Sequence, residues 1–332
     1  MRILEIVEII NGKLLNTPSI SAFTHITTDL DKVSRGALFF VSAQSQIPQA
    51  IKLGAYGVVF ESNLTKIIDN EIAWIEVDSL QDASIRLMRY QILTQSMHLL
   101  FLKPIEFELA LQICAKNENL FLQGSFLECL EAVQNQNAKR IIIKDTHLLD
   151  LSLDYTSSIE PAQDPFKIIS YTLFTSKLYY NGERYEIPIP HFLLKPLASV
   201  ITLFQNEGIE LDLASIKGID EFQPLFINTR NKLCKYGQSE RVLIAQTALQ
   251  EFKDILAYML RHAKWAQVIC FAPQDYVEFF DQLAPTYPYQ STQDLLAQIK
   301  TATFNFALIF DTSTQDLLEY LQQPDQEQSL FE

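Results

Sequence analysis

Ile3, Ile6, Val7 and Ile10 recur at the spacing of a single helical face, and Gly12 stands where such a helix would be capped. Apolar runs at 24–28, 37–43, 57–62 and 73–77 predict short strands, with a brief helix over 48–53 closed by Gly54. Ser79 followed by Asp82 is a helix-start signature. Behind it Leu80, Ala83, Leu87, Met88 and Ile92 share one face and predict the helix they belong to. Residues 1–96 therefore read as a small N-terminal α/β domain.

The next stretch opens with a strand at 99–102 that enters a helix through Lys103-Pro104-Ile105-Glu106-Phe107-Glu108, a turn without glycine. Ser125 with Glu128 starts another helix, 141–143 is a buried strand between charged flanks, and 157–165 is a polar loop. Strands are predicted at 166–174 and 178–187, the second turning at Asn181-Gly182, a type I′ hairpin signal. A helix over 196–206 has proline in its first turn and Gly208 past its end; a short helix at 212–217 precedes Gly218. These elements make a reduced central α/β domain over 97–238. From 239 the pattern is regular: strands at 242–245, 268–272 and 304–310 alternate with helices at 249–263, 274–283 and 292–300, and a last helix covers 316–321. That alternation implies a C-terminal Rossmann-like parallel sheet with right-handed crossovers over 239–332, whose polar tail from 322 is expected to fray.

Charge narrows the function. The chain carries 26 basic against 40 acidic side chains, a formal charge of −14, which repels phosphate backbones and anionic lipid. The nearest approaches to a basic cluster are Lys139-Arg140 and 261–264, so neither nucleic acid nor membrane is expected as a partner. No segment is apolar enough to span a bilayer, and Glu5 and Glu8 interrupt what a leader peptide would keep unbroken. Cys114, Cys129, Cys234 and Cys270 lie far apart in apolar surroundings, as small core residues of a reduced, cytoplasmic protein.

Ile26-Thr27-Thr28-Asp29, then Lys32-Val33, then Gly36-Ala37-Leu38-Phe39-Phe40-Val41 resemble the N-terminal domain of the Mur ligases, which add amino acids to UDP-N-acetylmuramoyl peptides. The similarity is greatest to the members that add the third residue or the terminal dipeptide. Gly54-Ala55 before Val58-Val59, the helix entry within 75–89, and 197–203 with Glu207-Gly208-Ile209 extend the series along the chain. The resemblance implies a three-domain α/β architecture. It places a UDP-substrate-type pocket at Thr27, Thr28 and Asp29 and the P-loop position at Lys103, Pro104, Glu106 and Glu108.

Against that family pattern every catalytic element is altered. The P-loop falls on 102–108, where neither a glycine nor the Lys-Thr/Ser pair occurs. The loop at 42–49 is shorter than the family's and lacks Gly, Asp and His, and the family's arginine becomes Asp31. The segments matching the C-terminal motifs read Ala-Gln-Thr-Ala-Leu-Gln at 245–250 and Phe-Asp-Thr-Ser at 310–313. A phosphate cradle needs glycine for close backbone approach and a lysine for the terminal phosphates. Glu106 or Glu108 at about 4 Å from a phosphate charge would instead repel it by roughly 4 kcal/mol at an effective dielectric of 20. The expectation is a catalytically inactive Mur ligase relative, a pseudoenzyme, with no catalytic residue and with neither ATP nor Mg²⁺ as cofactor. It would act as a protein-binding or scaffold factor in cell-wall synthesis. The alternatives are a non-catalytic binder of a UDP-muramoyl peptide or related nucleotide sugar, and a divergent ATP-dependent amide ligase.

The remaining polar residues have plainer readings. Thr27, Thr28 and Asp29 suit a uridine-like ring, but a strand end meeting water accounts for them too, and is preferred. Lys103 beside proline reads as a solvated lysine. Asp145, Thr146 and His147 follow a strand end, where open sheets bind ligands, yet His147 has no partner at zinc spacing. Thr247, Gln274, Asp275 and Asp311 to Ser313 follow strand ends as helix caps. Of Tyr276, Phe279, Phe280, Tyr287 and Tyr289, the two phenylalanines are expected in the core.

Overall fold

The computed structural model describes residues 1–61, 66–115, 118–134, 138–220, 222–239 and 241–322. Ser62, at the end of the third expected strand, and the tail beyond Gln322 lie outside them. The chain packs as two compact units, one of Met1–Ile159 with Ser199–Asp212, the other of Glu160–Ala198 with Leu213–Glu332.

Unit 1 holds two parallel sheets. The first comprises β1 (Lys13–Leu14), β2 (His25–Thr27), β3 (Ala37–Phe40), β4 (Gly57–Glu61) and β5 (Ala73–Val77) in the order β1-β5-β4-β3-β2, parallel except for the short edge strand β1. The second comprises β6 (His98–Phe101), β7 (Asn119–Leu122), β8 (Arg140–Ile143) and β9 (Tyr155–Ser157) in the order β7-β8-β6-β9, all parallel. The helices are α1 (Ile3–Ile9), α2 (Ile47–Lys52), α3 (Leu80–Thr94), α4 (Pro104–Ile113) and α5 (Phe126–Gln134). Strand β3 and the three isoleucines 141–143 of β8 read as unbroken apolar runs because both their faces are covered. Ile6, Leu87, Met88, Leu130 and Val133 from the helices share one core with Leu38 and Ile75 of the first sheet and Leu99 and Ile141 of the second. The first two sheets, assigned in the sequence to 1–96 and 97–238, thus pack within one unit. A second core, with Phe39, Val58 and Trp74 over Ile47 and Ala50, covers the opposite face of the first sheet.

Unit 2 begins with an antiparallel sheet of β10 (Lys167–Tyr171), β11 (Ser176–Tyr180) and β12 (Glu183–Ile187). Its β11–β12 hairpin turns on Asn181 and Gly182, both at positive φ as a type I′ turn requires. Helix α6 (Leu194–Asn206) follows; its first turn, to Ala198, belongs to unit 2 and the rest, from Ser199, to unit 1. The larger sheet has β13 (Leu225–Ile227), β14 (Arg241–Gln246), β15 (Val268–Ala272), β16 (Thr286–Pro288) and β17 (Phe306–Phe310), in the order β13-β14-β17-β15-β16 with only β13 antiparallel. Its helices are α7 (Leu249–His262), α8 (Gln274–Asp281), α9 (Thr292–Thr301) and α10 (Thr314–Gln322).

Helices α9 and α10 bury Leu295, Ile299, Leu317 and Leu321 against Leu243, Ala245, Ala307 and Ile309. Phe252 of α7 and Phe280 of α8 instead pack edge to face on Phe310, which alternation turns to the other face. Adjacent parallel strands β14 and β17 therefore send their following helices to opposite faces of the sheet.

Candidate functional site

The turn from β6 into α4 is filled by its own side chains. Pro104 occupies the first helical turn, where its missing N–H costs nothing. Glu106 folds back so that its Oε2 accepts the backbone N–H of Lys103 at 2.9 Å. The same oxygen accepts a short hydrogen bond from the Ser158 hydroxyl, at the end of β9. Glu106 is buried, at 3 % exposure, whereas Lys103 is exposed and Glu108 half-buried. The positive end of the helix dipole and the Lys103 N–H, the groups that would draw an anion, are thus met by an internal carboxylate. Of the residues expected at the P-loop position, Glu106 is the one built into the helix start. Ser158 carried no local sequence signal, because it lies a whole β-α-β distance away along the chain.

At the end of β2, Thr27 is buried and its hydroxyl bonds within the turn: it donates to the Asp29 carbonyl at 3.2 Å and accepts the Asp29 N–H at 3.1 Å. It also lies 3.3 Å from Glu131 of α5, which pairs with Lys32 at 2.7 Å. Asp29 is exposed and its Oδ1 accepts the Asp31 N–H, capping a single 3₁₀ turn, and Thr28 is half-buried between them. The structure keeps Thr27, Thr28 and Asp29 together but commits two of the three to holding the turn. The neighbouring loop also closes on itself, with Gln46 Oε1 accepting from the Ser42 hydroxyl and the Ala43 N–H.

At the end of β8, Asp145 accepts the Gly124 N–H at 3.2 Å and His147 Nε2 lies 3.0 Å from the Gly124 carbonyl, tying this loop to the start of α5. Among the described residues no group of three His, Cys, Asp or Glu is placed to hold a metal ion. Cys114, Cys129 and Cys270 are buried and Cys234 half-buried, without disulfides. Burial pushes the Cys129 thiol up to about 11 and that of Cys270 up to about 12, so neither is a nucleophile near neutrality.

In unit 2 the strand-end residues frame a real opening. Asp220, Gln223, Gln246, Thr247, Ser313 and Thr314 line a crevice of about 400 Å³ where the loops after β14 and β17 part. That is the switch point at which open α/β sheets bind ligands. Ser313 accepts the Asp316 N–H as a helix cap and Gln246 accepts the Ala248 N–H, so both also serve the local fold. The aromatic expectation needs one correction: Phe280 is fully buried, but Phe279 is 45 % exposed with Lys253 over its ring. Successive helical residues diverge by about 100°, so only one of the pair can face the sheet.

The parallel sheets, flanking helices and separate small α/β elements define a multi-domain α/β protein. Its fold is Mur-ligase-like. No family model matches the sequence, and no curated protein does. Among solved structures the chain is similar to MurF from Acinetobacter baumannii, with TM-score 0.61 at 10 % identity over 96 % of this chain and 98 % of that one. It is also similar to MurF ligase from Thermotoga maritima in complex with ADP, with TM-score 0.59 at 11 % identity over 90 % and 96 % of the two chains. At such identities the likeness is one of fold. Among the described residues no helix is long and apolar enough to cross a membrane.

Proposed function

We propose that this chain is a catalytically inactive member of the Mur-ligase fold that binds a protein partner as a scaffold factor in cell-wall synthesis. The observation that carries the reading is the start of α4, where the Glu106 carboxylate accepts the Lys103 N–H and the Ser158 hydroxyl. A triphosphate seated there would have to displace a buried carboxylate from its donors and then share the space with it. Phosphoryl transfer needs Mg²⁺ and positive charge around the terminal phosphate. Within the turn itself Lys103 is the one basic side chain, on the solvent side, and Lys144 after β8 is held over the Phe107 ring at 5.3 Å.

Calorimetric titration of the whole protein with Mg-ATP tests this directly, alongside phosphate release in the presence of a muramoyl peptide and an amino acid. No saturable heat and no phosphate are expected. Saturable Mg-ATP binding would overturn the reading in favour of a divergent amide ligase. The partner half of the proposal is read separately, by capture of a stoichiometric protein from the native extract.

The exposed Asp29 carboxylate at the carboxyl end of β2 supports a second reading, non-catalytic binding of a UDP-muramoyl peptide or related nucleotide sugar. It predicts a thermal shift with UDP-sugar that Thr28→Ala and Asp29→Ala both abolish. Absence of a shift at millimolar ligand ends it.

A further inference from the structure

At the amino ends of β14, β15 and β17, opposite to the switch-point crevice, unit 2 holds a cavity of about 680 Å³. Its walls include Phe174, Phe226, Tyr236, Trp265 and Phe306. The rings support one another: Phe174 and Phe226 are 5.5 Å apart, Phe226 and Tyr236 5.2 Å, and Trp265 and Phe306 5.9 Å, each pair edge to face. Yet Trp265 is 73 % exposed and Tyr236 57 % exposed, so two large rings form a rim in water above an apolar floor. The polar groups along it are used by the fold. Asn305 Oδ1 accepts the Gln267 N–H at 2.9 Å, and the Ser239 hydroxyl donates to the Ile227 carbonyl.

The two rim segments are also among the more basic stretches of an acidic chain. Residues 230–241 carry Arg230, Lys232, Lys235 and Arg241 against Glu240, and residues 261–267 carry Arg261 and Lys264 against no acid. Arg241 is occupied with Asn231 and the Ile299 carbonyl. Lys235 and Lys264 are exposed and immediately precede the two rim rings, Tyr236 and Trp265.

We propose that this cavity docks an acidic peptide segment bearing aromatic or proline side chains, supplied by the partner protein; the inference rests on the partner-binding reading above. Rigid aromatic rims take up proline and aromatic side chains at little entropic cost, and flanking lysines complement carboxylates on either side. The volume is in the range of formed ligand sites. A nucleic acid would stack on similar rings, but it needs a basic groove that follows its backbone, and here the basic residues are local to one rim of a chain with charge −14.

The test uses the full-length protein and a fluorescein-labelled peptide, Glu-Asp-Phe-Pro-Leu-Glu. One control has its acids replaced by lysine, a second has Phe, Pro and Leu replaced by serine, and a third probe is oligo-uridine. Saturable binding is expected for the first peptide, with a blue shift in emission from Trp265, while Trp74, only 1 % exposed, stays constant. Both control peptides should bind at least about tenfold more weakly. Trp265→Ala and the pair Lys235→Glu, Lys264→Glu are surface changes that should each weaken the acidic peptide by about tenfold or more, with the charge-reversed pair gaining the lysine peptide.

Equal binding of acidic and lysine peptides, tighter binding of oligo-uridine, indifference to both variants, or no saturation at millimolar peptide would each overturn the proposal. Capture from native extract separates the two failures. If wild type and Trp265→Ala retain the same stoichiometric partner, the partner reading stands and this site is wrong. If wild type retains none, the partner reading fails while the peptide titration still decides the cavity.

Discussion

Helices α4 and α5 both follow strands of the same parallel sheet, and both begin with a glutamate that bends back to the helix start. In α5, Glu128 accepts the Ser125 N–H at 2.7 Å and the Ser125 hydroxyl at 2.9 Å, and Ser125 in turn accepts the Glu128 N–H. Everything in that cap is local and exposed. In α4, Glu106 does the same for Lys103, but its second donor is Ser158, and the carboxylate is buried. The first arrangement ends a loop. The second joins β6, α4 and β9 and places a carboxylate at the amino end of α4, where the helix dipole would otherwise draw an anion. The same local chemistry thus closes a candidate site only when a distant residue completes it.

The sharpest way to break this contrast is Glu106→Ala. It strips the acceptor from a part-buried N–H and a hydroxyl, and should lower stability by about 2–3 kcal/mol in urea unfolding. Glu106→Gln keeps one acceptor oxygen and should cost about 1 kcal/mol. If Glu106→Ala costs no more than an exposed cap, the carboxylate is incidental and the closed helix start loses its meaning. Ser158→Ala comes next, at about 1 kcal/mol, because Glu106 retains the Lys103 N–H. An unchanged urea midpoint in Ser158→Ala would remove the long-range half of the comparison.

These two caps also mark what the sequence could say. The Ser125–Glu128 signature and that of Ser79, whose hydroxyl accepts the Asp82 N–H, were readable because donor and acceptor are three residues apart. So were the apolar runs of β3, β4 and β8, and the Asn181-Gly182 turn. Strands β1, β7, β9, β13 and β16 were not predicted. Each is two to four residues long and partly exposed, so its pairing comes from the neighbouring strand and not from its own pattern. Tyr155–Ser157 is the instructive case. It extends the second sheet at the edge of the stretch read as a loop, and by doing so delivers Ser158 to Glu106. The candidate site was legible as a set of positions, and its closure was not, because closure depends on a contact between residues 106 and 158. The aromatic cavity was hidden for the same reason: its rings come from four separated segments.

The smallest effect belongs to the exposed cap, and it is best read through pH. The backbone N–H of Ser125, then its hydroxyl, hold the Glu128 carboxyl below its ordinary value of 4.5. A carboxyl lowered in the folded state contributes stability above its unfolded value, and that contribution is lost as the pH falls through the folded one. Ser125→Ala removes the hydroxyl and leaves the N–H. The NMR titration of Glu128 should therefore move part of the way back up, and the unfolding midpoint should change less between pH 7 and pH 3 than in wild type. Full exposure keeps the effect small, because water and salt screen the cap. A Glu128 titration unmoved by Ser125→Ala would mean that the backbone N–H alone sets the cap. The serine would then be dispensable in α5, whereas Ser158 would remain the distant donor that completes the Glu106 cap in α4.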